Sequence, residues 1–200
     1  MEKLVLYLIR HGKTEANEKH FYCGKSDLHL SENGIKQLED IKKEINYPEC
    51  NRYFTSGAKR ANETISILYP GRPYIEINEF WEYDFGDFEI KSYDMLKENK
   101  DYINWITDND GQVLCPNGES KVQYRSRIKK AFIEFLDRCC KENINSAALI
   151  SHGGTIGTIL EVFYDSSKSF YEHQPPCGRG YKITLEKIEG KYKFINIVSV

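Results

Sequence analysis

Apolar positions fall into two kinds of run along this chain. Residues 4–9 (LVLYLI) are apolar without a break, which predicts a strand covered on both faces, as in an α/β sheet. From Ser31 the stretch SENGIKQLEDIKKEI changes period. Ile35, Leu38, Ile41 and Ile45 recur three and four residues apart, a helical stripe capped by Ser31. The alternation then repeats. RYFTS (52–56) predicts a strand, 58–68 a helix, PYIEI (73–77) a third strand, 119–141 a long helix, SAALIS (146–151) a buried strand and 155–164 a helix. The closing stretch YKITLEKIEGKYKFINIV alternates on both sides of Glu189-Gly190 and predicts a hairpin. Residues 78–117 break the rhythm: they are aromatic-rich and interrupted by Gly and Pro, with short helices expected around 91–106. The economical reading is one α/β domain over residues 1–200, a three-layer sandwich whose largely parallel sheet is flanked by helices. The segment 78–117 is expected to be a cap inserted over that sheet.

A chain of 200 residues can bury a substantial core without disulfides or metal. The formal net charge of −2 gives no global basic field, so neither nucleic acid nor membrane is expected as a partner. Any anion must be gathered locally. The six cysteines, at 23, 50, 115, 139, 140 and 177, form no Cys-x-x-Cys pair and are expected to be reduced thiols. The opening apolar run is too short for a signal peptide, and no stretch approaches membrane-spanning length. A cytoplasmic, globular protein is the expectation.

The candidate chemistry lies where strands end. In open α/β sheets ligands bind outside the carboxyl ends of the strands. Here LVLYLI runs into Arg10-His11-Gly12, and AALI into Ser151-His152-Gly153-Gly154, while Arg60 opens the helix after RYFTS. If these strands are neighbours, two guanidiniums and two imidazoles converge on one spot suited to a compact oxyanion such as phosphate. The glycines after each histidine would let backbone N–H groups approach the same anion. Other motifs carry less. CGKS (23–26) lacks the earlier glycine of a phosphate-binding loop, and no cysteine precedes an arginine at the spacing of a thiol phosphatase. LISHGG lacks the first glycine of a nucleophile elbow, so Ser151 is read as a strand end.

These residues resemble the histidine phosphatase superfamily, in its phosphoglycerate mutase-like branch, over nearly the whole chain. RHGKTEAN is similar to that family's RHG-x-T-x-x-N signature, which implies a nucleophile at His11 and substrate contacts at Arg10, Thr14 and Asn17. CGKSDLHLSENGIKQ resembles its G-x-x-D-x-x-L-[ST]-x-x-G-x-x-Q stretch and places Cys23 and Gly24 beside the substrate. TSGAKRANET resembles the element that makes Arg60 a phosphate ligand, and PNGES (116–120) its P-x-G-E-S motif. SHGG carries over the second histidine, His152, with Gly153 next to it. Within 79–89 the residues alone leave Glu79, Glu82, Asp84, Asp87 and Glu89 open as proton donor, and the resemblance of EYDFGDFE to the family's E-x-x-x-G segment points to Glu82. The sequence departs from the pattern at Gly57 and Ala58, where Pro and Leu are common, at His29, and at Ile90, where Gly is usual.

The reaction implied is hydrolysis of a small phosphomonoester through a phosphohistidine. Arg10 and Arg60 would disfavour the imidazolium and keep His11 unprotonated near neutral pH. Glu82, set among Trp81, Tyr83 and Phe85, would take acid and then base duty. Because the cations are side chains, no metal or other cofactor is expected. Alpha-ribazole phosphatases and broad-specificity phosphatases are the relatives most resembled. The alternative is a phosphoglycerate mutase-type isomerase, which must shield its phosphohistidine from water under a longer cap and a C-terminal tail. Only 69 residues separate Glu82 from His152 here, which favours hydrolysis. Phe21, Tyr22, Trp81, Tyr83, Phe85, Tyr93 and Trp105 either line a pocket for an organic group or belong to the core.

Overall fold

The computed structural model describes residues 3–45, 47–188 and 191–200, so the expected Glu189-Gly190 turn lies outside the described residues. In chain order the elements are β1 (Lys3–Arg10), α1 (Glu15–Glu18), α2 (Glu32–Glu44), β2 (Arg52–Thr55), α3 (Lys59–Leu68) and β3 (Ile75–Glu76). Two 3-10 turns, Asn78–Phe80 and Gly86–Phe88, lead to α4 (Tyr93–Leu96) and α5 (Lys100–Ile106). Then follow α6 (Lys121–Lys141), β4 (Ser146–Ser151), α7 (Gly153–Phe163), β5 (Gly180–Ile188) and β6 (Lys191–Ser199).

The strands form one sheet in the order β3-β2-β4-β1-β5-β6. The first four run parallel; β5 is antiparallel to β1 and β6 antiparallel to β5. The uninterrupted apolar run of β1 is explained by its two faces. Leu4, Leu6 and Leu8 enter one core with Phe132 and Phe135 of α6 and Ile156 and Ile159 of α7. Tyr7 and Ile9 enter another with Leu38 of α2 and Ala61 and Ile65 of α3. Successive side chains alternate between faces, so β4 divides likewise: Ala147 and Leu149 to the first core, Ala148 and Ile150 to the second. Helices therefore cover both faces of the central strands.

The helix limits differ from the sequence pattern for local reasons. Helix α6 begins at Lys121 because Ser120 and Gln123 close a reciprocal capping box. Helix α7 begins two residues earlier than the apolar period suggests, directly after His152, which is its N-cap. In α2 only Leu38 and Ile41 of the expected stripe are buried; Ile35 is exposed and Ile45 is an extended C-cap. The third strand shrinks to two residues. Segment 78–117 contributes Phe80, Tyr83, Phe88, Tyr102 and Trp105 to the same apolar cluster as Leu6 and Phe132. The six cysteines are free thiols, and no helix among the described residues is long and apolar enough to cross a membrane.

Candidate active site

Sheet order decides which strand ends meet. With β4 between β2 and β1, Arg10 pairs with Ser151 and Thr55 with Ile150, so the three strands end level. The next residues, His11, His152 and Ser56, consequently sit side by side. The two imidazole rings lie edge to face with centroids 5.1 Å apart. His152 Nε2 is 2.8 Å from Ser56 Oγ, and His152 Nδ1 accepts from Arg60 Nε at 3.3 Å. Because guanidinium only donates, Nδ1 carries no proton, and the ring is the neutral tautomer that donates from Nε2 to Ser56.

His11 is fixed in the other tautomer. Its Nδ1 lies 2.6 Å from the Gly12 carbonyl oxygen, which only accepts, so the proton is on Nδ1 and the lone pair on Nε2. Burial holds the His11 pKa well below 6.5, reinforced by Arg60 and Arg10. The His152 pKa is also held well below 6.5, again first by burial and then by Arg60. The arginines act as the sequence predicts, but removal from water is the larger cause.

The two cations are held differently. Arg60 is 1% exposed and gives Nη1 to the Ser26 carbonyl at 3.0 Å and Nη2 to the Gly24 carbonyl at 2.8 Å. Arg10 gives Nη1 to the Pro175 carbonyl at 3.0 Å, while its Nε is buried with no partner. A buried unpaired donor is costly, and an anion would satisfy it. Gly153 makes room for this guanidinium: a Cβ there would sit 2.9 Å from Arg10 Cζ.

Glu82 reaches the first turn of α7. Its carboxylate accepts from Gly154 N–H at 2.8 Å, Tyr83 N–H at 2.9 Å and Tyr124 O–H at 2.6 Å. The segment carrying it is strapped by Arg127, which donates to the carbonyls of Glu79, Trp81 and Glu82 and grips the Glu119 carboxylate with two nitrogens. Glu89 is engaged elsewhere, its oxygens accepting backbone N–H groups of Gly24, Lys25, Ser26 and Phe85. Ser151 gives its hydroxyl to the Phe80 carbonyl.

A cleft of about 210 Å³ adjoins this cluster through Arg10, Glu82 and Gly154. Asn17, Cys23 and Gln174 add polar wall, and Tyr22, Phe85, Trp105, Tyr124, Phe170 and Tyr171 make much of the rest aromatic. Of the aromatics singled out in the sequence, Phe21, Tyr22 and Phe85 line the cleft, Tyr83 and Trp105 line it while belonging to the core, and Tyr93 does neither, being exposed. Trp81 does not line this cleft; its ring lies 5.8 Å from the Arg60 guanidinium and 6.5 Å from the His152 ring.

Of the predicted residues, Arg10, His11, Arg60, His152 and Glu82 come together, with Asn17, Cys23 and Gly153 beside them. Thr14 does not face the cleft: it is fully buried and caps α1 reciprocally with Asn17. Gly24 commits its N–H to Glu89 and its carbonyl to Arg60, leaving neither free for a substrate. Two of the glycine N–H groups offered to an anion are likewise taken, Gly12 by Thr64 and Gly154 by Glu82. Ser56, Tyr124, Arg127 and Gln174 escaped the sequence reading. Ser56 lies within the TSGAKRANET motif and was findable there, whereas Tyr124 sits in a helix whose period reads only as core. Among the described residues no cluster of three or more His, Cys, Asp or Glu side chains is arranged to hold a metal ion.

The model of the histidine phosphatase superfamily (branch 1) matches residues 6–193. The chain belongs to that superfamily and is an enzyme of the phosphatase class. Among particular relatives, the adenosylcobalamin/alpha-ribazole phosphatase of Salmonella typhimurium is 30% identical over 159 residues, covering 78% of this chain and 77% of that protein. The solved alpha-ribazole phosphatase from Shigella flexneri superposes with a TM-score of 0.78 at 24% identity, covering 96% of this chain and 95% of that one. A phosphoglycerate mutase structure from Bacillus anthracis gives a TM-score of 0.79 at 20% identity, over 98% and 92% of the two chains. At those identities the two structures speak to the fold alone.

Proposed function

We propose that this chain hydrolyses a small phosphomonoester through a phosphohistidine on His11. The observation that carries the reading is the meeting of His11, in a tautomer with its lone pair on Nε2, with the unpartnered buried Nε of Arg10. Nε2 attacks phosphorus, the bond to the ester oxygen breaks, and the electron pair leaves on that oxygen, which takes a proton from Glu82, entering this step as the carboxylic acid and leaving it as the carboxylate. Water then attacks the phosphohistidine, giving its proton to Glu82 as the P–N bond breaks. Arg10 and Arg60 stabilise the charge on the equatorial oxygens. His152, neutral and bound by Arg60 and Ser56, orients Arg60 rather than adding a third cation. Asn17, Cys23 and Gly153 border the bound ester, and segment 78–117 serves as the cap that brings Glu82, Phe85 and Trp105 to it.

The aromatic wall supports a leaving group with a flat apolar body, and alpha-ribazole phosphate, from the name of its relatives, is the first ester to try. Phosphate release across a panel of phosphorylated metabolites tests the reading. His11→Ala should lower release by several orders of magnitude in a folded protein, and rapid quenching of the parent should trap an acid-labile phosphoryl group on His11. An adduct on Ser151 or a cysteine would overturn the assignment. Efficient interconversion of phosphoglycerates with negligible phosphate release would replace hydrolase by mutase.

A further inference from the structure

Arg60 is fully buried, yet it forms no ion pair among the described residues; its known partners are two backbone carbonyls and a neutral imidazole. A buried guanidinium without a counter-charge is expensive. On the far side of the same loop sits a carboxylate. Glu89 Oε1 accepts from Gly24 and Lys25 N–H, both at 2.9 Å, and Oε2 accepts from Gly24 at 3.0 Å and Ser26 at 3.2 Å. Three successive amides converging on one anion form a backbone nest. The carbonyls of Gly24 and Ser26 then turn to Arg60 at 2.8 and 3.0 Å. The Gly24–Lys25 peptide does both at once, its N–H on the Glu89 carboxylate and its C=O on the Arg60 guanidinium, so its dipole lies between the anion and the cation.

We propose that Glu89 is a positioning residue that acts through the loop Gly24–Ser26 as the relayed counter-charge of Arg60. The arrangement has a chemical reason. A carboxylate bonded directly to Arg60 would compete with phosphate for the guanidinium, since both want the same N–H groups. Placed behind the Gly24–Lys25 peptide, Glu89 stabilises and aims the cation while leaving its remaining donors to the substrate. Through the bond from Arg60 Nε to His152 Nδ1, the same support extends to the second histidine.

The proposal rests on the reading of Arg60 as a phosphate ligand, and a double-mutant cycle separates the two. Orthovanadate binding is measured by calorimetry, and kcat/KM with p-nitrophenyl phosphate, for the parent, Glu89→Gln, Arg60→Gln and the double variant. Glu89→Gln alone should weaken vanadate binding about tenfold, and the same change on the Arg60→Gln background should cost less than twofold. Equal losses on both backgrounds would mean that Glu89 only holds the loop together, and the relay would be wrong. If Arg60→Gln binds vanadate like the parent, the phosphate-ligand reading fails and takes the relay with it. Should Glu89→Gln not fold, Glu89→Asp, which keeps the charge but draws it back from the amides, takes its place: its loss should be smaller than tenfold yet still larger with Arg60 present than on Arg60→Gln, and equal losses on the two backgrounds overturn the relay.

Discussion

Glu82 is held by three donors, so its carboxyl is aimed before any substrate arrives. If it protonates the leaving oxygen, Glu82→Gln should slow esters of poor alkoxide leaving groups by about 10²–10⁴-fold. The burst of phosphohistidine formation from p-nitrophenyl phosphate, whose phenolate needs little protonation, should change far less. Glu79→Gln and Asp84→Asn serve as controls within a few-fold of the parent on both esters. Equal losses on both esters for Glu82→Gln would assign it a positioning role instead. Residue-level strain is visible nearby: Ile90 has φ +57°, a left-handed backbone that a β-branched side chain rarely adopts. Replacing it by Gly relieves that strain at some cost in unfolded-chain entropy, for a net gain of about 0.5–1 kcal/mol in urea denaturation. Ile90→Gly melting below the parent would contradict this. The sequence could flag Ile90 only as a departure from a glycine; the dihedral behind that glycine is a three-dimensional fact.

At the scale of elements, what was legible is what is local. The apolar run of β1, the cap at Ser31 and the strand ends at His11 and His152 all announce themselves within a few residues. That β4 lies between β2 and β1 does not, because strand order is fixed by packing among distant segments. Hence Ser56 against His152, and Tyr124 against Glu82, had no local signal of partnership. The close approach of β1's exit to α7 gives a test. Gly153→Ala improves helix propensity but pushes a methyl group against the Arg10 guanidinium. Activity should fall about 10²-fold on all esters alike, with thermal stability equal to or above the parent's. Unchanged kcat/KM would show that Arg10 needs no such approach.

Across the whole molecule, the buried imidazoles of His11 and His152 tie stability to pH. Both have folded-state pKa values well below 6.5, so in mildly acid solution the unfolded chain holds protons that the native one lacks. Stability is therefore full above about 6.5, falls as pH drops below it by up to about 1.4 kcal/mol per unit for each histidine, and levels off below the folded pKa values. Urea titrations between pH 7.5 and 5.5 should show this slope, and His11→Asn with His152→Asn should flatten most of it. A slope untouched by both substitutions would place its origin elsewhere. For the same reason, the acid limb of kcat/KM belongs below 6.5 rather than at the usual histidine value.

The chain has two tryptophans, and both stand at the site: Trp81 against Arg60 and His152, Trp105 in the wall of the cleft. Intrinsic emission therefore carries no background from remote indoles. A small oxyanion bound by Arg60 disturbs the first ring, and an organic leaving group disturbs the second. With Trp81→Phe and Trp105→Phe in hand, plain fluorescence titration resolves occupancy of the two halves of the site without a label.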